Sequence, residues 1–163
     1  PASPPARVIL LRVPSDLLML YARADWRRQG RAFPDELRYL YAGLGPLTVT
    51  RVDARTIELR PEQGWLYAPL DRLFRGEQDP FVAGQRVVDG TMSVEVVEVS
   101  ADGRPRVARM RFDRPLEDAG FAWSSWESGG PAPFVLPEVG ASRSLGAMQN
   151  PMFAAAPEGS RSE

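Results

Sequence analysis

The sequence predicts a mainly β (α+β) fold: a small β-barrel or sandwich with one amphipathic helix from the N-terminal half packed on it. Three observations predict it. Short runs of β-branched and alternating residues recur along the chain, as half-buried strands require. Clusters of Gly, Pro and Asp separate these runs, most densely from Gly76 onward. Only one stretch, in the first thirty residues, repeats its apolar positions at helical spacing. With 163 residues, 44% of them hydrophobic and 25% charged, the chain suffices for one globular core.

In chain order, residues 1–6 (PASPPA) are Pro-rich and read as a linker from an upstream segment. Arg7 to Val13 (RVILLRV) reads as a buried strand. Ser15 is placed to cap a helix, with Leu17, Leu18, Tyr21 and Ala24 on its apolar face and Arg23, Asp25, Arg27 and Arg28 outward. Arg27, Arg28 and Gly30 would end it, cations meeting the helix dipole and glycine the left-handed cap. Leu37 to Tyr41 is a further strand. Leu47 to Arg60 reads as a hairpin turning at Asp53-Ala54-Arg55, with Trp65-Leu66 extending the sheet. Pro69 to Arg75 reads as one short helical turn closed by Gly76.

Five more strands are expected: Gln85 to Val88, Met92 to Val99, Val107 to Phe112, Phe121 to Trp126 and Phe134 to Leu136. A three-residue loop at Ala101-Asp102-Gly103, with Gly103 left-handed, sets Ser100 opposite Arg104. That register pairs Glu98 with Arg106, Val96 with Ala108, Glu95 with Arg109, Val94 with Met110 and Met92 with Phe112. It predicts a buried Met92–Phe112 face. The globular domain is thus 7–145, and residues 146–163, small and polar, read as a disordered tail.

Composition narrows the chemistry. The chain has no Cys, His or Lys, and all twenty basic residues are Arg. Disulfides, thiolate metal sites, Ser-His-Asp triads, Schiff bases and P-loop lysines are therefore unavailable to this segment. A formal net charge of −1 argues against a nucleic-acid partner. The longest apolar runs, Val8 to Leu11 and Leu17 to Ala22, fall far short of the ~20 residues a spanning helix needs.

Three candidate constellations remain. Trp65, Trp123 and Trp126 are candidate binding residues, faces for sugar rings or peptide side chains. Trp123 and Trp126 lie three apart, however, so a regular strand points them to opposite sides. Glu117-Asp118 beside Asp113 is a carboxylate pair of the kind glycosidases use without His. A solvated turn capped by Asp118 is the simpler reading. Arg104, Arg106, Arg109, Arg111 and Arg114 crowd one strand and its ends, and cross-strand pairing with Glu95 and Glu98 accounts for them without an anionic ligand. No metal site or cofactor is expected.

The stretches RVDARTIELRPEQGWL (51–66), DRLFR (71–75), DGRP (102–105) and RFDRPLED (111–118) occur in that order, followed by W-x-x-W and PFVLPEVG. Together they resemble the soluble C-terminal region of a group of uncharacterised polytopic membrane proteins of GC-rich bacteria, a group with no assigned activity. The resemblance implies a water-exposed domain following transmembrane helices, membrane-associated and on the extracytoplasmic side. The expectation is a non-catalytic accessory or interaction domain of a larger bacterial membrane protein. Its partners would be the rest of its own polypeptide, or an envelope protein or glycan. The alternatives are a glycan- or peptide-binding module using exposed tryptophans and, more remotely, a carboxylate-only hydrolase.

Overall fold

A computed structural model describes residues 7–19, 21, 28, 34–68, 78–127 and 130–149. Ten strands occur in it: β1 (Arg7–Leu10), β2 (Glu36–Tyr39), β3 (Leu47–Arg51), β4 (Thr56–Pro61), β5 (Arg86–Asp89), β6 (Met92–Val99), β7 (Pro105–Phe112), β8 (Phe121–Glu127), β9 (Gly130–Pro133) and β10 (Ser142–Leu145). They form two sheets, a four-stranded one in the order β2-β1-β8-β9 and a six-stranded one in the order β10-β3-β4-β7-β6-β5. Ile9 of β1, with Leu11, Leu40 and Tyr41 just beyond β1 and β2, shares one buried cluster with Leu47, Val49, Ile57, Leu59, Met92, Met110 and Phe112 from the second sheet. The mainly β expectation holds as a sandwich. Both sheets keep two edge strands, so neither closes into a barrel.

The hairpins formed where alternation and turn chemistry agree. β3 and β4 pair antiparallel across Asp53-Ala54-Arg55, where the Asp53 carboxylate accepts from the Arg55 amide at 2.7 Å. Between β6 and β7, Ser100 donates to the Arg104 carbonyl at 2.8 Å, Gly103 donates back to Ser100, and Gly103 has φ +75°. Met92↔Phe112, Val94↔Met110, Glu95↔Arg109 and Val96↔Ala108 pair as expected, but Glu98 lies opposite Val107 rather than Arg106. Two offsetting irregularities cause this. An extra residue at Val97 on β6 is answered by one at Arg106 on β7, so the loop and the far end keep their register while the middle slips.

The four-stranded sheet departs further from a chain of hairpins. β1 runs parallel to both its neighbours, β2 and β8. The β1–β2 crossover contains helical residues 16–19, 21 and 28. Ser15 caps the start, its hydroxyl accepting from the Leu18 amide at 3.2 Å. The inward face is not the expected one: Leu17 and Tyr21 are 56% and 71% exposed, while Met19 is buried against Leu10, Val13 and Trp126. Among the described helical residues it is thus Met19, outside the expected set, that packs on the sheet's outer face. Ala24 and most of the charged positions assigned to the opposite face lie outside the described residues, as does the turn expected at Pro69 to Arg75.

Three further expectations are corrected. Trp65-Leu66 does not extend the sheet as a strand; the Trp65 amide bonds the Pro105 carbonyl at 2.9 Å from a turn. The strand expected at Phe134 to Leu136 is instead β9, GPAP. Phe134 donates to Trp123, so residues 132 and 134 face β8 and the missing N–H groups of Pro131 and Pro133 fall on the open edge. The polar strand β10 was unforeseen; Leu145 opposite Leu47 anchors it. The start of the presumed disordered tail docks, with Met148 buried and its amide on the Leu44 carbonyl at 2.9 Å. The rest, 150–163, lies outside the described residues. Arg12, in the expected apolar run, is buried and donates to the carbonyls of Gly146 and Gly45, tying that segment down.

Candidate functional site

An apolar cleft of about 550 Å³ lies on the β2/β5 side of the sandwich. Its floor is the inner face of the six-stranded sheet: Met92, Val94 and Val96 from β6, Ala108 and Met110 from β7, and Val87 from β5. This is the face the β6–β7 register sets inward. Trp65, Leu66, Phe81 and Pro105 form one wall. Gly103 supports that wall, receiving the Phe81 amide on its carbonyl at 2.9 Å.

The opposite wall is a strand edge. Residues 36–40, β2 and the residue after it, line the cleft in unbroken succession, which a strand does when its side, not its face, is presented. The bond from the Leu40 amide to the Leu10 carbonyl turns the even-numbered residues of β2 toward β1. The main-chain groups of Leu37 and Tyr39 therefore face the cleft. Among the described residues no main-chain partner pairs with them.

Charges at the mouth satisfy one another. Arg38 binds Glu36 at 2.9 Å and Asp89 at 2.5 Å, reaching from β2 to β5. Glu36 is also held by Arg7 at 3.2 Å, and Arg7 by Asp113 at 2.9 Å. Burial opposes the charge on Arg38, but its hydrogen bonds to Glu36 and Asp89 outweigh that and raise its pKa. Tyr39, on the same edge, has its phenol pushed up to about 12, chiefly by burial and further by its hydrogen bond with Asp16.

The three sequence-predicted tryptophans separate. Trp65 lines the cleft, half-buried, with its indole N–H on the Leu40 carbonyl at 3.2 Å and its ring edge-on to Tyr41 at 5.8 Å. Trp123 points inward, its indole N–H on the Leu116 carbonyl at 2.7 Å and its ring edge-on to Phe112 at 5.3 Å. Trp126 faces the other way, against Leu10, Val13 and Met19. No two of them form a shared platform.

A smaller depression of about 320 Å³ brings Trp123 together with Glu117, Asp118 and Arg51. Arg51 pairs with Glu117, and that bond, the largest influence, holds the Glu117 carboxyl below its ordinary range. A glycosidase acid needs the opposite shift. Asp118 accepts from the Gly120 amide at 2.8 Å, the turn-capping role expected of it. Four of the five arginines of the ladder, Arg104, Arg109, Arg111 and Arg114, are paired, but not with the acids anticipated. Arg109 binds Glu58, Arg104 binds Asp102 and Arg111 binds Asp53, while Glu95 and Glu98 go to Arg86 and Arg60. Among the described residues no group of three or more Asp or Glu is placed to hold a metal ion.

Compared with protein-family models, curated proteins and solved structures, the chain matches none. The cleft residues outside Trp65 were not singled out by the sequence. A usable signal was present in Glu36 and Arg38, two opposite charges at alternate positions of an otherwise apolar strand, which is how a sheet edge is commonly marked.

Proposed function

We propose that this domain is a non-catalytic interaction module of a larger bacterial membrane protein, and that the cleft beside β2 is its interaction surface. The observation that carries the reading is the cleft itself: an apolar floor left open between two packed sheets, its few charges already paired. Exposed apolar surface of this kind marks a binding site. The placement on the extracytoplasmic side of a membrane rests on the sequence resemblance alone. The absence of His, Cys and Lys and the arginine-bound state of Glu117 support a role in binding over one in hydrolysis.

The test is a photo-crosslinking amino acid at Val87, which lines the cleft and is 53% exposed, in the intact protein in its native membrane. The expected product joins Val87 to one defined segment of the same polypeptide or of one envelope protein, and Val94→Glu abolishes it. A crosslink pattern at Val87 no more specific than that at the exposed Val139 would defeat the proposal.

A further inference from the structure

The four-stranded sheet covers a six-stranded one, and at about 4.8 Å per strand it is about 10 Å narrower. Among the described residues no strand fills the difference on the β2 side, where the Arg38 side chain reaches across to Asp89. We infer that an extended segment of a partner polypeptide completes this sheet, pairing with the free edge of β2 and placing alternate side chains on the cleft floor. The inference rests on the reading of the cleft as the interaction surface and specifies its occupant.

Two features select that occupant. The outward main-chain groups of Leu37 and Tyr39 offer a strand the hydrogen bonds it needs, and their direction follows from the Leu40–Leu10 bond. Side chains entering the cleft must be uncharged, because Arg38, Glu36 and Asp89 are already committed to one another. An anionic amphiphile would have to break that network to find its cation. The volume of about 550 Å³ compares with ~150 Å³ for a cavity that holds one benzene. It therefore accommodates about three aliphatic side chains, those at positions i, i+2 and i+4 of a strand.

The experiment uses the 163-residue chain and a fluorescein-labelled heptapeptide, Ser-Leu-Thr-Leu-Thr-Leu-Ser, read by anisotropy. Two N-methylated versions accompany it, one methylated at both Thr and one at the inner Leu residues. In either strand direction only alternate N–H groups face β2, so one methylated peptide should bind at least tenfold more weakly and the other nearly normally. Tyr39→Pro removes one outward N–H and should weaken binding at least fivefold, whereas Tyr39→Ala, which keeps it, should not; circular dichroism checks that both fold. Equal binding by both methylated peptides, or by Tyr39→Pro, would overturn strand addition while leaving the cleft reading intact if the Val87 crosslink persists. An unliganded dimer that Tyr39→Pro dissociates would also overturn it, by showing a second copy on the edge. Absence of peptide binding together with loss of the specific Val87 crosslink would remove both.

Discussion

The two sides of this sandwich are built from similar parts and finished differently. On the β7–β8 side, Phe112, Phe121 and Trp123 pack with ring centroids 5.3 to 5.9 Å apart, over the fully buried Leu116. On the β2–β5 side Trp65, Tyr41 and Met110 are also present, and Trp65 also hands its N–H to a backbone carbonyl, yet the space between the sheets stays open. Aromatic content does not decide closure. Among the described residues the covering sheet runs out of strands on the second side, and one salt bridge is a poor substitute for one.

The largest expected effect breaks the closed side. Phe112→Ala should cost about 3–5 kcal/mol in chemical denaturation, since its neighbours on both sheets cannot collapse into the void. The matching truncation on the open side, Val87→Ala, should cost under about 0.5 kcal/mol. Comparable costs would mean the cleft is as tightly packed as the closed end.

A middle-sized effect should come from Gly103, whose backbone has φ +75° and where an added Cβ would lie 2.5 Å from the Pro80 Cβ. Gly103→Ala should destabilise by about 1–3 kcal/mol and displace the Phe81 wall, so that an environment-sensitive dye bound in the cleft shifts its emission. Destabilisation without that shift would separate the loop from the wall.

The smallest effect concerns Tyr39 on the open edge. A phenol raised to about 12 in the folded state, against about 10 unfolded, favours the protonated form. Its contribution is therefore complete below about pH 10 and is lost as pH rises toward 12. Absorbance at 295 nm should show a late-titrating component, and Tyr39→Phe should remove part of it. An alkaline end of the titration that Tyr39→Phe leaves unchanged would mean β2 is more open to water than its contacts indicate.

Local pattern made the six-stranded sheet largely legible. The turn residues at Asp53-Ala54-Arg55 and Ala101-Asp102-Gly103, with strict alternation beside them, fix both hairpins. The slip at Val97 was not legible, because the adjacent valines Val96 and Val97 give no periodic reason to prefer one register. The four-stranded sheet was much less so. Its parallel pairs join residues remote in sequence, and β9 hides behind prolines that normally argue against a strand. The cleft shares that difficulty, since β2, β5, β6, β7, Trp65 and Phe81 reach it from separate stretches of chain. Only Trp65 was visible in advance, as a large aromatic with an uncertain place.

The position of β1 bears on how such a chain is made. It precedes the other described strands in the chain and lies inside its sheet, between β2 and β8, with Arg7 paired to a residue more than a hundred positions later. While the ribosome is still extending the chain, one side of β1 has no partner, and its apolar residues Val8 to Leu10 are exposed. The antiparallel β3–β4 and β6–β7 hairpins, with their short closing loops, can form well before that. The domain should therefore assemble outward from its β3–β4 and β6–β7 hairpins, with β1 seated only as β8 emerges. A chain truncated before Phe121 should display an unpaired hydrophobic strand to chaperones and proteases.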